Sequence, residues 1–428
     1  MTTNGKNLIE RAGLTRPRRL LLCLDGVPYE VLKKAKGRGM FENFEQPSRL
    51  LSPFPTMTNI ALSRMLGATP PLGYESLYFD KRARELRGGI GKYIGRRTPD
   101  KVPSSYMDEL DYQEPLPFEF LVYVAPETIW RADMRRFHER FRRAPQTKDF
   151  FAFLKGTDGL MHIRGAERLT VALSSLDKIL KQIHKACGDE TEIVLFSDHG
   201  MNMEENKRVN LQTHLRKHGY TVTDRLQGKT RKNVSVPAFG LCGYAALYTV
   251  DDESAASIAD ALVDLEGVDF SITREGNDAV MVKGARGSAR IHRRESEERI
   301  SYRYEQITGD PLDLASAING LRVESAFDVK GYAADTAWYA HTAAHIYPDA
   351  IANIFLSLHS PRVGHTADVL VSMRDGYYYG ASLFSHLVRL AATHGNALRA
   401  SSTAFLMSTH RTLPEFVRAD EAQPLLKG

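Results

Sequence analysis

A chain of 428 residues can form one large domain or two of ordinary size. Its 57 basic and 52 acidic residues leave a formal charge of +5, too small a surplus to imply nucleic acid as a partner. An apolar fraction of 43% and a charged fraction of 25% are those of a water-soluble globular protein. Three cysteines, Cys23, Cys187 and Cys242, form no CxxC pair and favour reduced thiols. No run reaches the ~18 apolar residues of a membrane helix, and the first residues lack the apolar core of a secretory signal. A cytoplasmic protein with no membrane partner is expected.

In chain order, the apolar run Arg19–Leu24 predicts a buried strand ending at Asp25-Gly26. The strand would deliver a carboxylate at its tip, with a helix following over Tyr29–Lys36. An Asp at an ordinary strand-to-helix turn is the plain alternative. The prolines of Arg49–Asn59 break structure, and Ile60–Gly67 then has helical spacing. Thr58 or Asn59 therefore falls at a helix N-terminus. Either could simply cap the helix, and a hydroxyl held there also suits a phosphate; the two readings are compatible.

Residues 68–120, rich in Pro, Gly, Tyr and Arg, read as an extended segment that walls a pocket. Phe118–Val124 reads as a strand, and Arg131–Arg143 as a basic helix with a solvated face or a site for an acidic partner. Phe150–Leu154 is another buried strand, leading to Lys155–His162. There Asp158 and His162 stand four residues apart, a spacing that brings both to one ion if the backbone turns. An amphipathic helix over Arg164–Ala186 returns the chain to Ile193–Phe196, a strand that ends in Ser197-Asp198-His199-Gly200. A right-handed crossover puts both polar tips on one sheet edge, where open α/β sheets bind ligands.

Beyond Met203 the character changes. Residues 221–330 read as an inserted α+β, cap-like subdomain, with 1–220 and 331–428 forming the core. Leu314–Val323 and Ile351–Ser357 read as helices and Ala367–Met373 as a strand. His394-Gly395 follows a helical stretch and precedes the last apolar run, Thr403–Ser408. For a lone histidine, a surface imidazole is the plain alternative.

Four motifs stand in a fixed order: LDGVP, PTMTN, TDGLMH with FSDHGM, and THGN. In that order they resemble the alkaline phosphatase superfamily, above all its nucleotide pyrophosphatase/phosphodiesterase branch, with phosphonoacetate hydrolase also similar. The resemblance covers about 1–210 and 360–410. Sulfatases share the fold, but their CxPxR-like setting is missing here.

The resemblance implies an α/β fold with a mainly parallel sheet flanked by helices, two zinc ions, and a phospho-threonine intermediate. Asp25, Asp198 and His199 would hold one zinc; Asp158, His162 and His394 would hold the other. His365, His341 and His345 are the alternatives to His394. The second Thr of the P-T-x-T pattern, Thr58, would be the nucleophile, with Asn59 beside it as a substrate contact. The branch usually continues F-P-N, whereas this chain has Asn59-Ile60-Ala61, so Thr56 stays as second candidate. The function implied is a metal-dependent phosphodiesterase or pyrophosphatase acting on a small phosphorylated substrate. The other readings are a phosphomonoesterase or phosphonate hydrolase on the same two-metal site, or a non-catalytic phospholigand-binding protein. No nucleic-acid-binding motif is recognised. Tyr74, Tyr78, Tyr377, Tyr378 and Tyr379 could wall a substituent pocket or belong to core and rim.

Overall fold

The apolar run Leu20–Leu24 lies inside a seven-stranded sheet in the computed structural model, which describes residues 18–89, 102–122, 124–228, 230–296, 299–381 and 390–427. All five of its residues are buried because both faces are covered. Leu20, Leu22 and Leu24 enter one apolar cluster, while Leu21 and Cys23 enter another, as the two-residue alternation of a strand requires. The stretch inspected for a secretory signal falls largely on residues 1–17, outside the described residues.

Across the sheet the order is Phe416–Arg418, Ser48–Leu51, Thr403–Ser408, Ile193–Ser197, Leu20–Leu24, Phe150–Leu154 and Tyr112–Gln113. Four pairings are parallel. Only Thr403–Ser408 opposes its neighbours. Parallel neighbours need crossover connections, and helices supply them on both faces. Tyr29–Lys36, Pro126–Arg143 and Gly156–Cys187 cover one face; Thr58–Leu66 and Ala422–Lys427 cover the other. This is the mainly parallel, helix-flanked architecture expected from the sequence motifs. Among the described residues, no helix is long and apolar enough to cross a membrane.

A second sheet of seven strands is antiparallel throughout. Its order is Tyr244–Leu247, Val369–Met373, Val268–Glu275, Ala279–Gly284, Gly287–Ser296, Arg299–Gly309 and Ala333–Ala334. Helix Ala350–His359 packs on one face and Asp252–Ala261 on the other.

Two local expectations change. Of the stretch expected as a strand, Phe118–Val124, Tyr123 falls outside the described residues, and residues 118–121 lie in a short helix, Leu116–Leu121. Pro117 sits at its start, where a missing N–H costs nothing, and Val122 N–H bonds back to Phe118 O at 2.9 Å. The helix expected from Arg164 begins earlier, at Gly156, and is broken at Gly165 (φ 67°). Asp158 and His162 are therefore on helical turns, where residues four apart share a face.

One contact ties the two sheets together beside Thr58. Asn353, on the helix Ala350–His359, accepts Phe54 N–H on Oδ1 at 2.8 Å and donates Nδ2–H to Ser52 O at 3.1 Å. The buried Arg362 guanidinium donates to Phe54 O at 2.5 Å and to Asn353 Oδ1 at 2.9 Å. This fixes the loop leading to Thr58. Replacing Asn353 by Ala leaves a buried N–H and part of a buried guanidinium unpaired, so a loss of about 2–4 kcal/mol is expected. Urea unfolding measures it, and a change under about 0.5 kcal/mol would show that the loop does not need this anchor.

Candidate active site

Three adjacent parallel strands bring the acidic residues together. Leu20–Leu24 is followed directly by Asp25, and Ile193–Ser197 by Asp198 and His199. Phe150–Leu154 leads into the first turns of helix Gly156–Cys187, which carry Asp158 and His162. Strand Ser48–Leu51 runs in the same direction, and the loop beyond it ends at Thr58, the first residue of its helix. Thr403–Ser408 runs the other way, so the chain enters it from this same edge, just after His394.

All six expected ligands converge in two groups of three. Asp25, Asp198 and His199 form one group, and Asp158, His162 and His394 the other; within each, the candidate ligand atoms lie within 4.8 Å of one another. His199 Nε2 is 3.5 Å from Asp25 Oδ1 and 3.4 Å from Asp198 Oδ2. Asp158 Oδ1 is 3.2 Å from His162 Nε2 and 3.8 Å from His394 Nε2. The groups adjoin, since the rings of His199 and His394 stack with centroids 4.0 Å apart. The alternative histidines lie elsewhere: His365 is beside Asp80, His341 beside Glu324, and His345 on Asp313 O.

Backbone carbonyls orient all three imidazoles. The Nδ1 atoms of His162, His199 and His394 face Ala392 O, Gly200 O and Thr56 O at 2.8, 2.9 and 2.8 Å. A carbonyl only accepts, so each Nδ1 carries the hydrogen and each Nε2 keeps its lone pair for the site. The carboxylates are held too. Asp198 Oδ1 accepts Gly26 N–H at 3.1 Å, whereas Asp198 Oδ2 and Asp158 Oδ1 are buried oxygens with no hydrogen-bond donor among the described residues. Buried, underused carboxylate oxygens facing imidazole lone pairs are a donor set that suits a divalent cation.

The proton equilibria show the cost of this crowding. Burial, with Asp198 and Asp158 nearby, pushes Asp25 well above the usual carboxylate range. Burial likewise pushes Asp198 up to about 6. Burial would raise Asp158 as well, but the imidazoles of His162, His394 and His199 outweigh it and hold Asp158 low. Burial drives His199 down to about 4 and, with His199 alongside, His394 down to about 3. His162 is buried too, but Asp158 raises it on balance.

The two threonines have different surroundings. Thr58 Oγ1 lies 3.2 Å from Asp25 Oδ1, to which it donates, and 3.2 Å from His199 Nε2. Thr56 is fully buried; its hydroxyl accepts Gly395 N–H at 2.8 Å and donates to Asn396 O at 3.3 Å. Met57, not a Thr or Asn, is the N-cap residue of the helix, and no side chain caps it. Asn59 donates to Gly73 O at 3.2 Å on the wall of a cleft. Arg64 is turned away, donating to Asp420 at 2.7 Å, and Lys155 is 3.8 Å from Glu114.

Some supporting residues carried no signal in the sequence. Thr157 donates to Asp25 O at 2.7 Å, and Ser197 Oγ accepts Val27 N–H at 2.8 Å while donating to His199 O at 2.9 Å. They fix the loops that bear the ligands. Their neighbourhood in the motifs was visible, but their bonding partners were not.

This fold and this site define an alkaline-phosphatase-like hydrolase. The family model for type I phosphodiesterase / nucleotide pyrophosphatase matches residues 77–380, and the chain belongs to that family. It is an enzyme, a hydrolase acting on phosphoester bonds. The match includes Asp158, His162, Asp198 and His199 and runs through the segment between the motifs; Asp25, Thr58 and His394 lie outside it. Among solved structures, phosphonoacetate hydrolase from Sinorhizobium meliloti, bound to phosphonoformate, is similar at 12% identity over 96% of this chain and 95% of that one, with a TM-score of 0.51. Human ectonucleotide pyrophosphatase/phosphodiesterase 5 is similar at 14% identity over 96% and 93% of the two chains, with a TM-score of 0.49. At such identities the likeness is one of fold. No functionally curated protein matches the chain in sequence.

The pH dependence of metal loading follows from the proton equilibria. A dication held by these groups would displace protons from Asp25 and Asp198, whose affinity for protons is raised, but would find His199 and His394 already neutral above about pH 4. Zinc affinity should therefore rise between pH 5 and pH 7.5. Calorimetry in buffers of different ionisation enthalpy should show net proton release near pH 6. Loading that is independent of pH over this range would contradict the arrangement.

Proposed function

We propose that the chain is a two-metal phosphodiesterase that uses Thr58 as nucleophile. The observation that carries this reading is the Thr58 hydroxyl, 3.2 Å from both Asp25 Oδ1 and His199 Nε2, beside two clusters of three ligands. In this reading Asp25, Asp198 and His199 hold one ion and Asp158, His162 and His394 the other. The nitrogen and oxygen donors suit zinc, and ions bound there would polarise a phosphoryl oxygen and make the threonine hydroxyl and water more acidic.

The protein's own groups supply the alignment. Asp25 accepts the Thr58 hydrogen bond and turns an oxygen lone pair toward the phosphorus. No side chain of the N-cap residue caps the helix, and although Asn59 Oδ1 accepts Ile60 N–H at 2.9 Å, the N–H groups of Thr58 and Asn59 are left for the phosphate oxygens in this reading. Asn59 lies next to them at the cleft wall. The Thr58 oxygen forms a bond to phosphorus as the bond to the departing alcohol breaks, and the alcohol takes up a proton. Water then attacks the phospho-threonine, releasing the phosphate product and restoring the hydroxyl. Thr56 acts through position alone, since its carbonyl and hydroxyl hold His394 and Gly395.

A diester is the favoured substrate class. A monoester brings an additional charge that phosphatases neutralise with a further cation, and Arg64 does not point to this site. The phosphonate-hydrolase alternative draws on the likeness to phosphonoacetate hydrolase, which is one of fold. The three cysteines are free, which supports a reducing, cytoplasmic setting.

Thr58→Ala should lower turnover of bis(4-nitrophenyl) phosphate by about 10³-fold or more, with zinc content and unfolding midpoint nearly unchanged. Thr56→Ala should cost about 1–3 kcal/mol of stability and only part of the activity. The reverse order of activities would transfer the role to Thr56. The zinc-loaded enzyme should also show a higher kcat/KM on bis(4-nitrophenyl) phosphate than on 4-nitrophenyl phosphate; a clear monoester preference would make it a phosphatase.

A further inference from the structure

Of the six candidate ligands, His394 has the least regular support. Asp25, Asp198 and His199 follow strands, and Asp158 and His162 stand on a helix. Residues 390–398 form neither helix nor strand, apart from an isolated bridge between Thr393 and Asn202. Asn202 is buried and lies three residues beyond His199. Its N–H donates to Thr393 O at 2.8 Å, and its Oδ1 accepts Thr393 N–H at 3.0 Å. One residue thus holds the peptide units on both sides of Thr393.

The first of these peptides joins Ala392 to Thr393. Its carbonyl faces His162 Nδ1 at 2.8 Å. A trans peptide is planar, with N–H and C=O pointing in opposite directions, so holding the N–H aims the carbonyl. The second peptide leads directly to His394. Asn202 therefore bears on two of the three ligands in the group Asp158, His162 and His394, from the loop that carries two ligands of the other group. The Asn202 amide is itself aligned by Asn206: each Nδ2 donates to the other's Oδ1 at 3.2 Å. Two further anchors act on His394, Gly243 N–H donating to its carbonyl at 2.6 Å and Thr56 O facing its Nδ1 at 2.8 Å. Neither holds the peptide that orients His162.

We propose that Asn202 is a positioning residue for this second ion site: through the Ala392–Thr393 peptide it aims His162 and His394, and the group's affinity for a dication depends on it. Ligands aimed in advance lose less freedom when an ion binds, and groups that orient ligands commonly carry a tenfold or larger share of metal affinity. The inference rests on the reading of the two groups as ion sites.

Zinc binding by the full chain, measured by calorimetry and by competition with a chromogenic chelator, tests it. The wild type should take two equivalents. Asn202→Leu removes the acceptor and should weaken one equivalent by about tenfold or more, leaving the other within about threefold. Asn202→Asp keeps an oxygen for Thr393 N–H and should hold both equivalents within about threefold of the wild type. His394→Ala should lose the same equivalent as Asn202→Leu, and the double variant should bind the remaining equivalent as His394→Ala does. On bis(4-nitrophenyl) phosphate, Asn202→Leu should lose kcat at limiting zinc and regain it as zinc is raised, with KM nearly unchanged.

A residue needed only for packing would lower the unfolding midpoint without separating the two equivalents. Equal loss of both equivalents in Asn202→Leu, or loss of neither, would therefore overturn the proposal and leave the two-ion reading intact. So would an Asn202→Asp variant as impaired as Asn202→Leu, because the acceptor would then not be what matters. A wild type that takes up fewer than two zinc ions would sink the two-ion reading, and the proposal with it. Should Asn202→Leu fail to fold, Asn202→Ala replaces it with the same expectations.

Discussion

Mutual repulsion among buried carboxylates is the constraint on which the site is built. Asp25, Asp158 and Asp198 end or follow three neighbouring strands, and burial of Asp25 and Asp198, with Asp158 half-buried beside them, removes much of the water that would screen them. Burial and the neighbouring carboxylates raise the proton affinity of Asp25 and, to about 6, that of Asp198. Two dications would reverse that balance and turn the same crowding into binding energy. The parallel sheet makes the crowding unavoidable, because strands about 4.8 Å apart deliver their carboxyl ends to one edge.

The imidazoles show how little freedom remains. Each is fixed at Nδ1 by a carbonyl from another loop or from its own turn. Thr56 links two parts of the site: its carbonyl holds His394, its hydroxyl holds Gly395, and Thr58 follows two residues later. Movement of His394 and movement of the Thr58 loop are therefore coupled. The second sheet joins this network through Asn353 and Arg362, which hold the backbone of Ser52 and Phe54.

Much of this was legible in the chain. Short apolar runs marked Leu20–Leu24, Phe150–Leu154 and Ile193–Ser197, because strands buried on both faces have no polar positions to interrupt them. Two of the runs ended directly in a candidate ligand type, Asp25 and Asp198, the third led to Asp158, and the crossover rule placed those ends together. The extent of the helix at Gly156 was not legible, since TDGLMH contains two residues that disfavour helix interiors or favour turns, and the helix there is set by packing of Gly156 and Gly159 against Trp130 and Val122. Phe118–Val124 misled because its aromatic and β-branched residues fit a strand, while Pro117 and the bond from Val122 N–H to Phe118 O favoured a helical turn.

By itself the sequence determined the strand tips, the residue types at them and the membership that the motifs implied. Only the tertiary structure decided which histidine stands with Asp158, which threonine faces the carboxylates, and what holds the loop of His394. His394 and Asp158 are 236 positions apart yet within 3.8 Å at their nearest site atoms. Asn202 meets Thr393 across a similar gap, |i−j| being 191. Periodicity and propensity report only what a residue does with its near neighbours. Distances of this kind are fixed when separate strands and loops pack to remove apolar surface from water, and that packing is a property of the whole chain.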